Sequence, residues 1–307
     1  PHLTGQTSIN GTAIEFKSEL YSSPVETRST IELAGLGSRF VASGSYSPVV
    51  AGEERWGLTL SEVELDLQAL GELVDVPLVG RVVASVTGEQ DGGVASINGN
   101  LRHGAGGLDV TGELVDSHSS ISLAPSELNL TAITPLVSEP VVLSGLLRLN
   151  SDTLAGMISP EINIVLEDSI IWGVELTSAS LVGRYDGDGL VIDEFSMESP
   201  IVSASASGVV TESGADLDIA LSDADMRQFH QFGAPLLRGA AAADGHVDIN
   251  WAGEEVEVDW AGGLYVSQFS NADASFRSLS GPVSASIRGE QFSASGESVI
   301  SGVTAAG

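Results

Sequence analysis

The chain contains no cysteine, so thiolate catalysis, cysteine-ligated zinc and disulfide staples are all excluded. Basic residues are nearly as scarce: 12 Lys and Arg stand against 42 Asp and Glu, a formal net charge of −30. A chain this acidic repels nucleic acid and anionic membrane surfaces. Aromatics make up only 5% of the 307 residues, too few for a core built on large rings. No apolar run approaches the ~18 residues of a membrane-spanning helix, and the opening PHLTGQTSIN lacks the basic and apolar regions of a secretory leader. Because it lacks an initiator Met and its pattern runs on to its last residues, the chain reads as a segment of something longer.

What is abundant is alternation. Ile14, Phe16 and Leu20 are separated by Glu15, Lys17 and Glu19; Trp56, Leu58 and Leu60 by Gly57 and Thr59; Leu217 and Ile219 by Asp218. Ile31 and Leu33, Leu108 and Val110, then Ile162, Ile164 and Leu166 follow the same rule, as do Val247, Ile249 and Trp251. A period of two places one oily and one polar face on each strand. Turn-forming pairs punctuate the strands: Asn10-Gly11, Asp91-Gly92-Gly93, Asn98-Gly99, Gly104 to Gly107, Asp186 to Gly189 and Ala261-Gly262-Gly263. The expectation is an all-β protein with a few short helices, a long antiparallel meander with no α/β alternation.

One motif interrupts the strands three times. Asp66 precedes Leu67, Leu70 and Leu73; Asn129 precedes Leu130, Ile133 and Leu136; Asp225 precedes Met226, Phe229 and Phe232. Each Asx residue can cap a helix whose apolar residues lie three or four apart, and Pro77, Pro140 and Pro235 then end it. Short helical inserts are therefore predicted near 66–76, 129–139 and 225–234. Their expected role is to plug the open end or edge of an apolar sheet.

Candidate catalytic groups do not assemble. His2, His103, His118, His230 and His246 are scattered, no GxSxG elbow occurs, and Gly104 to Gly107 lacks the GK[ST] ending of a phosphate loop. Asp186-Gly187-Asp188-Gly189 mimics part of an EF-hand, but Arg184 and Phe195 fall where that loop needs acidic ligands. A hairpin turn is the expectation there. Paired acids such as Glu53-Glu54 and Glu254-Glu255 lie on the polar, solvated side of the pattern. No enzyme, metal or cofactor is indicated.

What remains is the oily face. A closed sandwich needs large side chains to fill two matched layers, whereas these strands carry much Gly, Ala and Ser. A sheet that curls without closing into an open groove, leaving an apolar trough, is the expected alternative.

Two stretches, LTLSEVELDLQALGELVDVPLVGRVVASVTGE (58–89) and SASLVGRYDGDGLVIDEFSMESPIVSASASGVV (178–210), resemble the TamB and AsmA-like proteins of Gram-negative envelopes. The likeness lies in the capped short helix followed by Pro, Leu and Gly, and in the DG-centred hairpins. It extends over most of the chain in style. It implies one elongated β-groove over 1–307, a β-taco, belonging to a longer periplasmic protein anchored in the inner membrane. Such a groove conducts phospholipid between the membranes, with acyl chains along its inner rows and an outer-membrane β-barrel of the BamA or TamA type as partner. The resemblance also implies support for outer-membrane protein assembly. The alternative from the residues alone is a repetitive extracellular adhesin or stalk with closed sheets and calcium on its acidic faces.

Overall fold

A computed structural model describes residues 2–305 except 10–11, 36, 51–52, 75, 92, 155–156, 229–236, 254–255, 272–273 and 290. The described residues form an open antiparallel meander with two short helices. It divides into two compact units, Pro1–Pro160 with Leu166–Val174, and Glu161–Val165 with Glu175–Gly307.

In the first unit, β1 (His2–Ile9), β2 (Thr12–Ser22), β3 (Thr27–Gly35), β4 (Ser38–Val50) and β5 (Glu53–Asp66) pair in chain order. Helix α1 (Leu67–Val74) intervenes before β6 (Arg81–Asp91), β7 (Val94–His103), β8 (Gly106–Val115) and β9 (His118–Ser126) continue the sheet. The short β10 (Leu128–Asn129), helix α2 (Leu130–Ile133) and β11 (Val142–Leu143) form a side loop, and β12 (Gly145–Leu154) returns to pair with β9. Then comes β13 (Met157–Ile171), whose Ile170 pairs with Val142.

In the second unit, β14 (Val174–Tyr185), β15 (Gly189–Glu198), β16 (Ser203–Thr211), β17 (Gly214–Asp225), β18 (Arg238–Asn250), β19 (Glu257–Ser270) and β20 (Ala274–Arg288) pair in order. Three short strands, β21 (Gln291–Gly296), β22 (Val299–Ser301) and β23 (Thr304–Ala305), all pair with β20. Among the described residues no ladder joins the first strand of either meander to its last.

Two of the three predicted helices lie among the described residues, and their caps work as the sequence suggests. Asp66 Oδ1 accepts from the amides of Gln68 and Ala69 at 3.1 and 3.2 Å, and Asn129 Oδ1 accepts from Ala132 N at 3.1 Å. Helix α2 is shorter than predicted, four residues instead of a run toward Pro140. Pro135 is the reason: its ring drives the preceding residue out of the helical region, and Thr134 is extended, with φ −143° and ψ 131°. At the third cap, Asp225 accepts from Arg227 N at 3.0 Å and a 3₁₀ turn spans residues 226–228, with Met226 half-buried; the rest of that predicted insert lies outside the described residues. Phe229 lies outside the described residues, as does the side chain of Leu70.

Two predicted turns are not turns. Asn98-Gly99 sits in the middle of β7, and Ala261-Gly262-Gly263 in the middle of β19. Here glycine provides space for a close neighbour rather than a positive φ. A Cβ on Gly99 would meet Val86 Cγ2 at 3.1 Å, and one on Gly262 would lie 1.9 Å from Asp244 O. The predicted hairpin at Asp186 is present, its carboxylate accepting from the amides of Asp188 and Gly189 at 3.0 and 3.1 Å.

Bulges punctuate the strands where the sequence offers only Ser61-Glu62 or Ser222-Asp223. The ladders slip at Leu60/Val63 and Leu221/Ala224, and there Glu62 and Asp223 take left-handed φ values of 55°. Asp168 and Gln268 do likewise, at 45° and 52°. Bulges bend a strand and increase its twist, which helps a sheet curl. Left-handed backbone costs an L-residue about 1–2 kcal/mol. Asp223→Gly is therefore expected to keep or raise stability, by up to about 1 kcal/mol, while the β-branched Asp223→Val lowers it by about 1–2 kcal/mol. Urea midpoints of the two variants check this.

Next to Asp168 lies Ser169, 1% exposed. Its hydroxyl accepts from Ser144 N at 3.0 Å and faces the carbonyls of Ser144 and Glu167, both at 3.1 Å, pinning β13 to the segment after β11.

Candidate apolar trough

The predicted inner residues of the first unit come together on one face. Register carries Phe16 to Leu33, and Ile31 through Ala42 to Leu60. From Leu60 the row continues through Val86, Gly99 and Val110 to Leu123. A parallel row runs from Leu20 through Ser29 and Gly44 to Leu58, then through Gly88, Ile97 and Gly112 to Ile121. Ile14 and Leu108 lie on the same face, opposite Gly35 and Leu101. Trp56 pairs with Gln90, whose side-chain oxygen accepts from its indole N–H.

These rows are not a core. Leu58, Ile97 and Ile121 remain 44%, 42% and 45% exposed. Among the described residues only nine apolar side chains are buried, and four of them are alanines. The face is concave. Five consecutive strands, β5 to β9, line a trough of about 330 Å³ through Trp56, Leu58, Leu60, Ile97, Leu114 and Ile121 among others.

The surface exposed to it is almost wholly apolar, although Ser96, Glu113, Ser119 and Ser120 also border it. Small residues on a concave face relieve the crowding that curvature imposes on side chains, and here the large neighbours lean over them. A Cβ on Gly112 would meet Ile97 Cγ2 at 2.6 Å, and one on Gly5 would meet Phe16 Cζ at 2.4 Å.

The opposite face is charged. Arg39 bridges to Glu32 and Glu62, Arg55 to Asp91, Arg81 to Glu64 and Arg102 to Asp109, each linking neighbouring strands. All these pairs are exposed and add little stability. They keep that face in water, so the oily face has a fixed side.

The second unit repeats the plan. Ile192, Gly208, Leu217, Val247 and Trp260 form one row, and Ile219, Gly245, Gly262 and Val283 the next. Ile249 pairs with Val258 on the same face. Val247 is buried, as Ala42 is in the corresponding row of the first unit. Trp251 serves a different purpose from the one its place in the alternation suggests: it follows β18, and its indole N–H donates to Glu212 O at 2.8 Å, clasping the turn before β17. Along β13, half-buried Ile162, Ile164 and Leu166 alternate with exposed Glu161, Asn163 and Val165.

Sequence reasoning misses Val86, Ile97, Leu114, Ile121 and Trp260. The signal is present as alternation in Ile97-Asn98-Gly99-Asn100-Leu101, but taking Asn98-Gly99 as a turn breaks the strand.

On the outer face of the second unit, His246 Nδ1 lies 3.1 Å from Asp218 Oδ1, with Asp216 Oδ1 3.6 Å from Nε2. The hydrogen bond to Asp218 raises the imidazole pKa above its ordinary 6.5, helped by the charges of Asp216, Asp218 and Asp248. A raised folded pKa means that the pair contributes fully below the unfolded value and is lost as pH rises through the folded one. An NMR titration of His246 is expected to give a midpoint above 6.5, falling in Asp218→Asn.

No group of three or more metal-binding side chains occurs among the described residues, and no helix there is long and apolar enough to cross a membrane. No protein-family model matches the chain, and neither does any curated protein or solved structure.

Proposed function

We propose that this chain is a non-enzymatic segment of a periplasmic, envelope-bridging protein of the TamB and AsmA-like kind, whose apolar face carries phospholipid acyl chains between the two membranes. The observation that supports it is the exposed row of Leu58, Ile97 and Ile121 on a concave, unclosed sheet. Large apolar residues left in contact with water over several strands mark a binding surface. An acyl chain laid on them gains about 0.8 kcal/mol per buried methylene, so ~16 carbons are held without any specific polar site. Along each row the chemistry changes little from strand to strand, which favours sliding over trapping. Partnership with an outer-membrane β-barrel belongs to the same reading.

Native mass spectrometry of the protein purified from a membrane-containing host, followed by lipid extraction, tests this. Bound phospholipid supports the conduit. A folded, lipid-free protein that also fails to take up added phospholipid overturns it, and calcium-dependent melting in that protein would favour an adhesin or stalk.

A further inference from the structure

At one rim of the first unit, three tips are tied together by hydrogen bonds. Val79 N donates to Ile133 O at 2.8 Å, and Thr134 Oγ1 donates to Pro77 O at 2.8 Å while accepting from Leu136 N at 3.3 Å. Gly173 N donates to Pro140 O at 3.0 Å, bringing in the turn after β13. The apolar side chains at these tips face water: Val79, Leu136 and Trp172 are 53%, 69% and 73% exposed.

Trp172 is also strained. Both residues of its turn have positive φ, 50° at Trp172 and 77° at Gly173. Two-residue turns of that kind favour Asn-Gly or Asp-Gly, since a bulky side chain is crowded in the left-handed region. Backbone strain held at an exposed aromatic suits a function of the side chain rather than of the turn.

The charge around these tips is mainly acidic; exposed Arg81, two residues from Val79, is paired with Glu64 at 3.5 Å, and His103 Nε2 lies 3.1 Å from Val79 O. Glu127, Glu139, Glu167 and Asp168 are exposed on the same segments, and the amides of Glu127 and Glu167 both donate to Ser144, at 3.0 and 3.1 Å. No Lys or Arg occurs between residues 103 and 147 or between 149 and 183. Apolar anchors inside an acidic border match a partner with an apolar centre and a basic rim. The same border opposes both an anionic bilayer and a second copy of this acidic chain.

We infer that the Val79, Leu136 and Trp172 rim is a docking site for a protein segment with an aromatic or aliphatic centre flanked by Lys or Arg. The site does not depend on the lipid reading, since it lies on the loops at the sheet's rim. Selection of displayed random peptides on the whole chain tests it, with Trp172→Asn and the pair Glu139→Lys and Asp168→Lys as comparisons. Enriched peptides are expected to combine an apolar centre with basic flanks, to bind more weakly as salt rises, and to lose roughly tenfold or more in affinity with Trp172→Asn. The paired charge reversals are expected to weaken the same peptides. Asn relieves the left-handed strain, so Trp172→Asn is expected to melt no lower than the parent, which separates loss of contact from loss of fold. Three results would overturn the inference: no such enrichment, binding indifferent to Trp172, or salt-independent insertion of Trp172 into phosphatidylcholine vesicles, which would assign the rim to a bilayer surface.

Discussion

Changing Leu58, Ile97 and Ile121 together to aspartate is expected to strip the protein of acyl lipid and leave its fold in place. The three side chains share one row, separated by Gly88 and Gly112 on the intervening strands, and each is already more than 40% exposed. Their replacement therefore removes little burial from the folded state. Neighbouring members of the trio are two strands, about 10 Å, apart, so mutual repulsion of the new charges is modest in salt. A bound chain feels something different. If about six methylenes rest against these residues, their lost burial amounts to about 5 kcal/mol, more than a thousandfold in affinity. Lipid extraction reads the loss, and circular dichroism with a thermal melt reads the fold. Retention of lipid by a folded triple variant would place the binding surface elsewhere.

The second large effect lies in the other unit. Gly245 and Gly262 face each other across β18 and β19, and a Cβ on Gly262 would sit 1.9 Å from Asp244 O and 2.6 Å from Gly245 Cα. Backbone atoms, unlike the end of a flexible side chain, cannot step aside without opening the ladder. Gly262→Val is expected to cost about 3 kcal/mol or more, the upper end of overpacking penalties. Amide exchange should rise first along β18 and β19. Gly104→Ala is the control: a methyl added there has nothing within 4 Å, and a surface change of this kind stays within about 0.5 kcal/mol.

Much of this architecture is legible in local patterns. Alternation alone sets Ile14 with Phe16, Ile31 with Leu33, Leu58 with Leu60, and Leu108 with Val110 on one side of their own strands, because a period of two leaves a strand only two sides. The Asx caps at Asp66 and Asn129 are legible for a similar reason: the amides they satisfy are two or three residues away along the chain. Pro135 is equally local and equally visible, and it ends α2 earlier than the more distant Pro140 would.

Other features depend on partners distant in sequence. Asn98-Gly99 has the composition of a hairpin turn, yet Val86 and Val110 on the flanking strands claim Gly99 as the low point of a row. Gly262 is explained only by Gly245, and the setting of Trp172 only by the loops hydrogen-bonded beside it. The acidic residues at the bulges carry no local mark either, since a left-handed φ at Glu62 or Asp223 follows from the slip between two paired strands. The sequence by itself determined which side chains are oily, how they alternate and where short helices begin, all matters of nearest neighbours. Only the tertiary structure decided which strands set glycine against leucine, where the sheet bends, and that its oily face stays open to water, because each of these is fixed by register between strands.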